Sequence, residues 1–134
     1  MPFNIALMGE AEKGRYCYPY FFCSMCALMD TLGNPPDHTS GIYLAIKALY
    51  YDCFLLFFRV EEEGFSINDY FKCFNILENK KEDFKINALS LPGVGNDQII
   101  EKGANICEKN KSILILTEKD LYDYLTSSSK KRDN

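Results

Sequence analysis

The sequence predicts a three-layer α/β/α single domain built on a mostly parallel sheet of about four strands. Three observations predict it. Apolar runs of strand length alternate with helical patterns along 134 residues, the order that builds layered α/β folds. The run at 54–60 (Phe-Leu-Leu-Phe-Phe-Arg-Val) is apolar at nearly every position, as burial on both faces requires. At 85–100 an apolar run turns through Pro92-Gly-Val-Gly-Asn96 into an acidic helix start, which is half of a βαβ unit.

The elements follow in order. The run at 4–8 reads as a first strand ending at Gly9, with a polar surface loop to Gly14. Residues 16–22 are dense in aromatics around Pro19 and read as extended, either a short strand or a covering loop. Ser24 is placed to cap a short helix that Gly33 ends. Asn34-Pro-Pro-Asp37 opens a loop, because consecutive prolines do not continue a helix. A second helix starts at Gly41 and ends near Asp52, and the 54–60 strand follows. Ser66 and Asp69 resemble a capping box, with Asp in place of Glu. Ile67, Tyr70, Phe71, Phe74 and Leu77 then form an amphipathic stripe. Residues 86–91 are a strand, and Pro92 and Gly93 stop it. Ile99, Ile100, Ala104, Ile106 and Cys107 mark the next helix. Residues 112–116 are a last buried strand, and Thr117 with Asp120 caps a helix through Leu125. Residues 1–126 are thus expected to form one domain and 127–134 a disordered polar tail.

Composition narrows the function. A net charge of −4 argues against general nucleic-acid binding. No apolar run approaches the roughly 20 residues that span a bilayer, and the start lacks a signal-peptide pattern, so a cytoplasmic protein is expected. Six cysteines then read as free thiols. Cys23-Ser-Met-Cys26 has redox spacing, but its apolar neighbours favour two buried thiols. Cys53 and Cys107 read as small core residues. No second cysteine pair provides metal spacing. His38, the one histidine, has no assignable catalytic partner. No catalytic residue, metal or cofactor is expected.

Two candidate sites remain. Gly93, Gly95, Asn96 and Asp97 sit where a strand meets a helix N-terminus, a place suited to a phosphate or nucleotide. The stretch lacks the Lys-Ser/Thr of a P-loop and the third glycine of a dinucleotide fingerprint, which favours a plain turn. Glu61, Glu62, Glu63 and Gly64 form an acidic loop, and Lys130, Lys131 and Arg132 a basic patch. The two are expected to serve as contact surfaces, the patch reaching the acidic loop of a neighbouring copy.

Four stretches together resemble the core domain of contractile tail sheath proteins. They are 5–14 (Ile-Ala-Leu-Met-Gly-Glu-Ala-Glu-Lys-Gly), 24–33 after Pro19, the pair 44–51 and 54–60, and 89–99 followed by Cys107-Glu108 and 113–116. The resemblance covers most of residues 4–117. The chain departs from that family at Tyr51-Asp-Cys53 and Thr117-Glu-Lys119, and, with almost no N-terminal arm and only a short tail, it is expected to be a reduced form beside sheath subunits, which donate extended arms to their neighbours. The resemblance implies a non-enzymatic structural or assembly protein whose partners are other protein subunits, in a homo-oligomer or a larger assembly.

Overall fold

A computed structural model describes residues 3–79 and 84–133, with side chains as far as residue 126. It shows a single sheet, with helices on both faces. The elements are β1 (Asn4–Gly9), β2 (Tyr20–Phe22), α1 (Met25–Leu32), α2 (Gly41–Tyr50), β3 (Phe54–Arg59), α3 (Ile67–Glu78), β4 (Ala88–Ser90), α4 (Asp97–Asn110), β5 (Ile113–Ile115) and α5 (Glu118–Asp133). The strand order is β2-β3-β1-β4-β5. β1 pairs in parallel with β3 and β4, and β4 with β5, while β2 runs antiparallel to β3. The sheet therefore has five strands where about four were expected. The additional one is β2, from the aromatic stretch whose short extended pattern was equally compatible with a loop.

Alternation across each parallel strand divides the core. Ile5, Leu7, Leu55 and Phe57 face α1, α2 and α5. Ala6, Met8, Leu56 and Phe58 face α3 and α4. Leu55, Leu56, Phe57 and Phe58 are all buried, which is the two-sided burial that unbroken apolarity implied.

The caps follow local chemistry. The Ser24 hydroxyl accepts from the Ala27 N–H at 3.2 Å, Gly33 closes α1 with φ 78°, and the Thr117 hydroxyl accepts from the Asp120 N–H at 3.0 Å. The capping box expected at Ser66 does not form. Its hydroxyl instead bonds Glu62, accepting from the N–H at 3.1 Å and donating to the carbonyl at 3.0 Å. The α3 stripe is centred on Tyr70, Cys73, Phe74 and Leu77, so Ile67 in the first turn and Phe71 at its margin stay partly exposed. β5 is an edge strand rather than a buried one: Ile113 is 52% exposed and only Ile115 is buried. α5 runs along the stretch expected to be a tail, and the side chains of Lys130, Lys131 and Arg132 lie outside the described residues.

Candidate functional site

Open α/β sheets bind ligands at the carboxyl ends of their strands, where successive connections pass to opposite faces. Here that point lies between β1 and β4. The chain leaves β1 through α1 and α2 on one face, reaches β3, and returns through α3 on the other face to β4. The loops that meet there are 10–14 after β1, 61–66 after β3 and 91–96 after β4.

The crevice is filled from within by Glu63. Its side chain enters between the ends of β1 and α2, and the residue is only 9% exposed. One carboxylate oxygen, Oε1, accepts from the Glu10 N–H at 3.1 Å and the Gly41 N–H at 3.0 Å. The other, Oε2, accepts from the Ser40 N–H at 2.7 Å. Ser40 makes no side-chain cap of its own. The start of α2 is thus capped by a carboxylate from a distant loop, which satisfies N–H groups that helix geometry leaves open and sits at the positive end of the helix dipole. Gly9 and Gly41 make the room. A Cβ on Gly9 would stand 2.7 Å from Glu63 Oε1, and one on Gly41 would stand 2.6 Å from the same atom.

The loop that carries Glu63 is tied at every N–H from Glu61 to Ser66. Glu61 donates to Asp69 Oδ2 at 2.8 Å and Glu62 to Ser66 Oγ at 3.1 Å. Glu63 donates to Glu10 Oε2 at 2.9 Å, a bond reciprocal to the one Glu63 accepts from Glu10. Gly64 donates to the buried Tyr70 hydroxyl at 2.7 Å. Phe65 and Ser66 donate to the Glu62 carbonyl. Burial raises the Glu63 carboxyl above the usual range, and the Glu10 carboxylate adds to the rise, while the three N–H donors oppose it. Burial likewise pushes the Tyr70 hydroxyl well up.

The residues singled out from sequence are placed as follows. Glu61 and Glu62 are exposed, but Glu63 and Gly64 are buried and turn inward, so they do not form part of an outer contact surface. Gly93 (φ 77°) packs on Glu63, with its Cβ direction 3.7 Å from Glu63 Cγ. The Asn96 side chain accepts from the Gln98 and Ile99 N–H groups at 2.9 and 3.1 Å. Asp97 is the first residue of α4, and Gly95 borders open space. The polar loop after β1 is not a plain surface loop either. Its Glu12 and Lys13 N–H groups donate to the Leu32 carbonyl, and the Glu12 carboxylate accepts from the Asn34 N–H at 3.1 Å.

Cys23 and Cys26, expected to be buried, are both exposed, because they flank the Ser24 cap at the outer end of α1. Cys53 and Cys107 are core residues as expected. His38 is exposed in its loop, with φ 63°.

A cavity of about 570 Å³ lies at the opposite end of the sheet, among Leu77, Glu78, Ile106 and Lys109. None of the candidate site residues named from sequence lines it. Among the described residues no group of three or more His, Cys, Asp or Glu is placed to hold a metal ion. None of their helices is long and apolar enough to cross a membrane.

The inward turn of Glu63 carried no sequence signal. Three adjacent glutamates point in different directions, and only the closed loop selects which of them enters the crevice. No family model matches the chain, and neither a curated protein nor a solved structure matches it.

Proposed function

We propose that this chain is a non-enzymatic structural or assembly protein that acts through protein–protein contacts, like the sheath core it resembles in sequence. The observation that carries this reading is the aromatic edge at β2. Tyr16, Tyr18 and Phe21 are 52%, 40% and 61% exposed along it. β2 pairs with β3 on one side. An exposed apolar edge strand is a template for pairing with another chain. Its aromatics are held in place. Tyr16 lies under the Arg59 guanidinium, 4.1 Å from carbon to ring centre, and Tyr18 packs on Tyr20 with ring centres 4.8 Å apart. Held side chains lose little freedom when a partner covers them.

The partner that this edge fits is a second copy, strand to strand, or another subunit of one assembly. Light scattering coupled to size exclusion tests it. A mass above the 15.4 kDa of one chain at tens of micromolar, reduced to one chain by Phe21→Lys, is the expected result. One-chain mass at every concentration, with no effect of Phe21→Lys, overturns self-association through β2.

A nucleotide- or phosphate-binding role for Gly93, Gly95, Asn96 and Asp97 has less support. Asn96 already occupies the Gln98 and Ile99 N–H groups at the start of α4, and Glu63 those of Ser40 and Gly41 at the start of α2. A thermal-shift screen at millimolar nucleotide tests that role, and it would be revived by a concentration-dependent rise in melting temperature.

A further inference from the structure

Six cysteines are scattered along the chain, and the fold brings two of them together from distant elements. Cys17 lies in the segment before β2, and Cys73 lies in the middle of α3. The Cys17 thiol donates to the Asp69 carbonyl at 3.7 Å. Asp69 is one helical turn before Cys73, so Cys17 lies against the turn that carries Cys73. Cys17 packs against the buried cluster that contains Cys73.

The backbone around Cys17 is held in this position. Its N–H donates to the Arg59 carbonyl at 2.8 Å. Tyr16 forms a bridge with Arg59 and stacks beneath its guanidinium. Cys17 has φ 56°, a left-handed conformation that few non-glycine residues adopt and that surrounding structure must enforce. Exposure divides the pair. Cys17 is partly open to solvent, and Cys73 is fully buried.

We propose that Cys17 and Cys73 are a modification site, a thiol pair that oxidation by peroxide joins into a disulfide between the β2 edge and α3. The exposed sulfur reacts first. Peroxide transfers one oxygen to Cys17, releasing water and leaving a sulfenic acid. The Cys73 sulfur attacks that sulfur. The S–S bond forms, the S–O bond breaks, and the hydroxyl leaves as a second water with the Cys73 proton. The two sulfurs together lose two electrons, and one peroxide is reduced to two waters.

Cys17 lies against the helical turn that carries Cys73, so closing to the bond length of about 2.05 Å calls for side-chain rotation and local adjustment. Burial, reinforced by the Asp69 charge, raises the Cys17 thiol, and burial raises Cys73 further. Thiolate is therefore scarce at neutral pH. The cross-link forms slowly there and faster as pH rises, which makes it a lock rather than a rapid sensor. It would pin the aromatic edge to α3, yet it stands independently of what that edge binds.

The test uses the full chain, treated with hydrogen peroxide at pH 7 and pH 9, then alkylated, digested without reductant and analysed by mass spectrometry. The expected product is a peptide pair joined through Cys17 and Cys73, two hydrogens lighter than the sum of its parts and separated by dithiothreitol. It forms faster at pH 9 and persists in the Cys23→Ser, Cys26→Ser double variant. Closing so long a loop should raise the melting temperature by about 10–15 °C. Cys17→Ser changes a partly exposed residue, keeps the fold by circular dichroism, and abolishes the linked peptide. Cys73→Ala leaves Cys17 to proceed to sulfinic acid. Recovery of Cys17 and Cys73 separately alkylated from oxidised wild type overturns the proposal. So does a Cys17 sulfinic acid in wild type, or a linkage that joins either cysteine mainly to another residue.

Discussion

Glu63 shows how a single side chain can close a site. Burying a carboxylate is costly unless hydrogen bonds replace its water, and three backbone N–H groups do so here. Glu63→Ala removes the acceptor from all three and should cost about 3 kcal/mol of stability in urea unfolding. Glu63→Gln keeps the volume but turns an amide NH₂ towards N–H donors, and about 1–2 kcal/mol is expected. The pH dependence has a definite sign. The folded carboxyl is raised above its unfolded value, so the native state holds the proton more tightly. The stability it contributes is complete below the unfolded value and is lost as pH rises through the folded one. The wild-type advantage over Glu63→Gln should therefore grow as pH falls towards the unfolded value, and an advantage that shrinks on acidification would contradict this assignment. Gly41→Ala tests the same packing. Its methyl would stand 2.6 Å from Oε1 and 3.1 Å from the Gly9 Cα, and a loss of about 1–3 kcal/mol is expected from overpacking.

At the scale of the element, caps were more legible than loops. Ser24, Gly33 and Thr117 act within one turn of chain, where residue type and spacing carry the signal; Asn96, read as a turn and candidate ligand residue, caps α4 as well. Asn96→Ala should cost about 1 kcal/mol, read as an earlier urea midpoint with an unchanged slope. Ser66 looked equivalent and was not. Its hydroxyl had two possible partners, the α3 N–H groups and the Glu62 backbone, and the folded loop chose the second. β5 read as buried because its residues are apolar, but burial depends on neighbours, and the last strand of this order is an edge. The exposed Cys23 and Cys26 illustrate the same limit. Aromatic neighbours in sequence do not become neighbours in space when the chain passes from a strand into a helix cap.

Across the whole molecule the two-sided core dominates. Phe57 and Phe58 are adjacent in sequence and fully buried on opposite faces of the sheet. Alanine at either position should cost about 3–5 kcal/mol, measured by the same unfolding assay. Coincident unfolding transitions from probes on the two faces would show that the two helical layers are one cooperative unit. The light-scattering comparison of wild type with Phe21→Lys addresses the level above, the association of chains.

Periodicity and turn chemistry by themselves determined the alternating element order, the parallel sheet covered on both faces and most helix ends. They act locally, so one chain read in order suffices to see them. The candidate site was decided only by tertiary structure. Glu63 meets Glu10, Ser40 and Gly41 because three loops converge at the strand ends, and Cys17 reaches the α3 turn before Cys73 because the segment before β2 is tied to Arg59 at the end of β3. Both depend on closing long loops, and the position of a residue in the chain does not encode the company it keeps after closure.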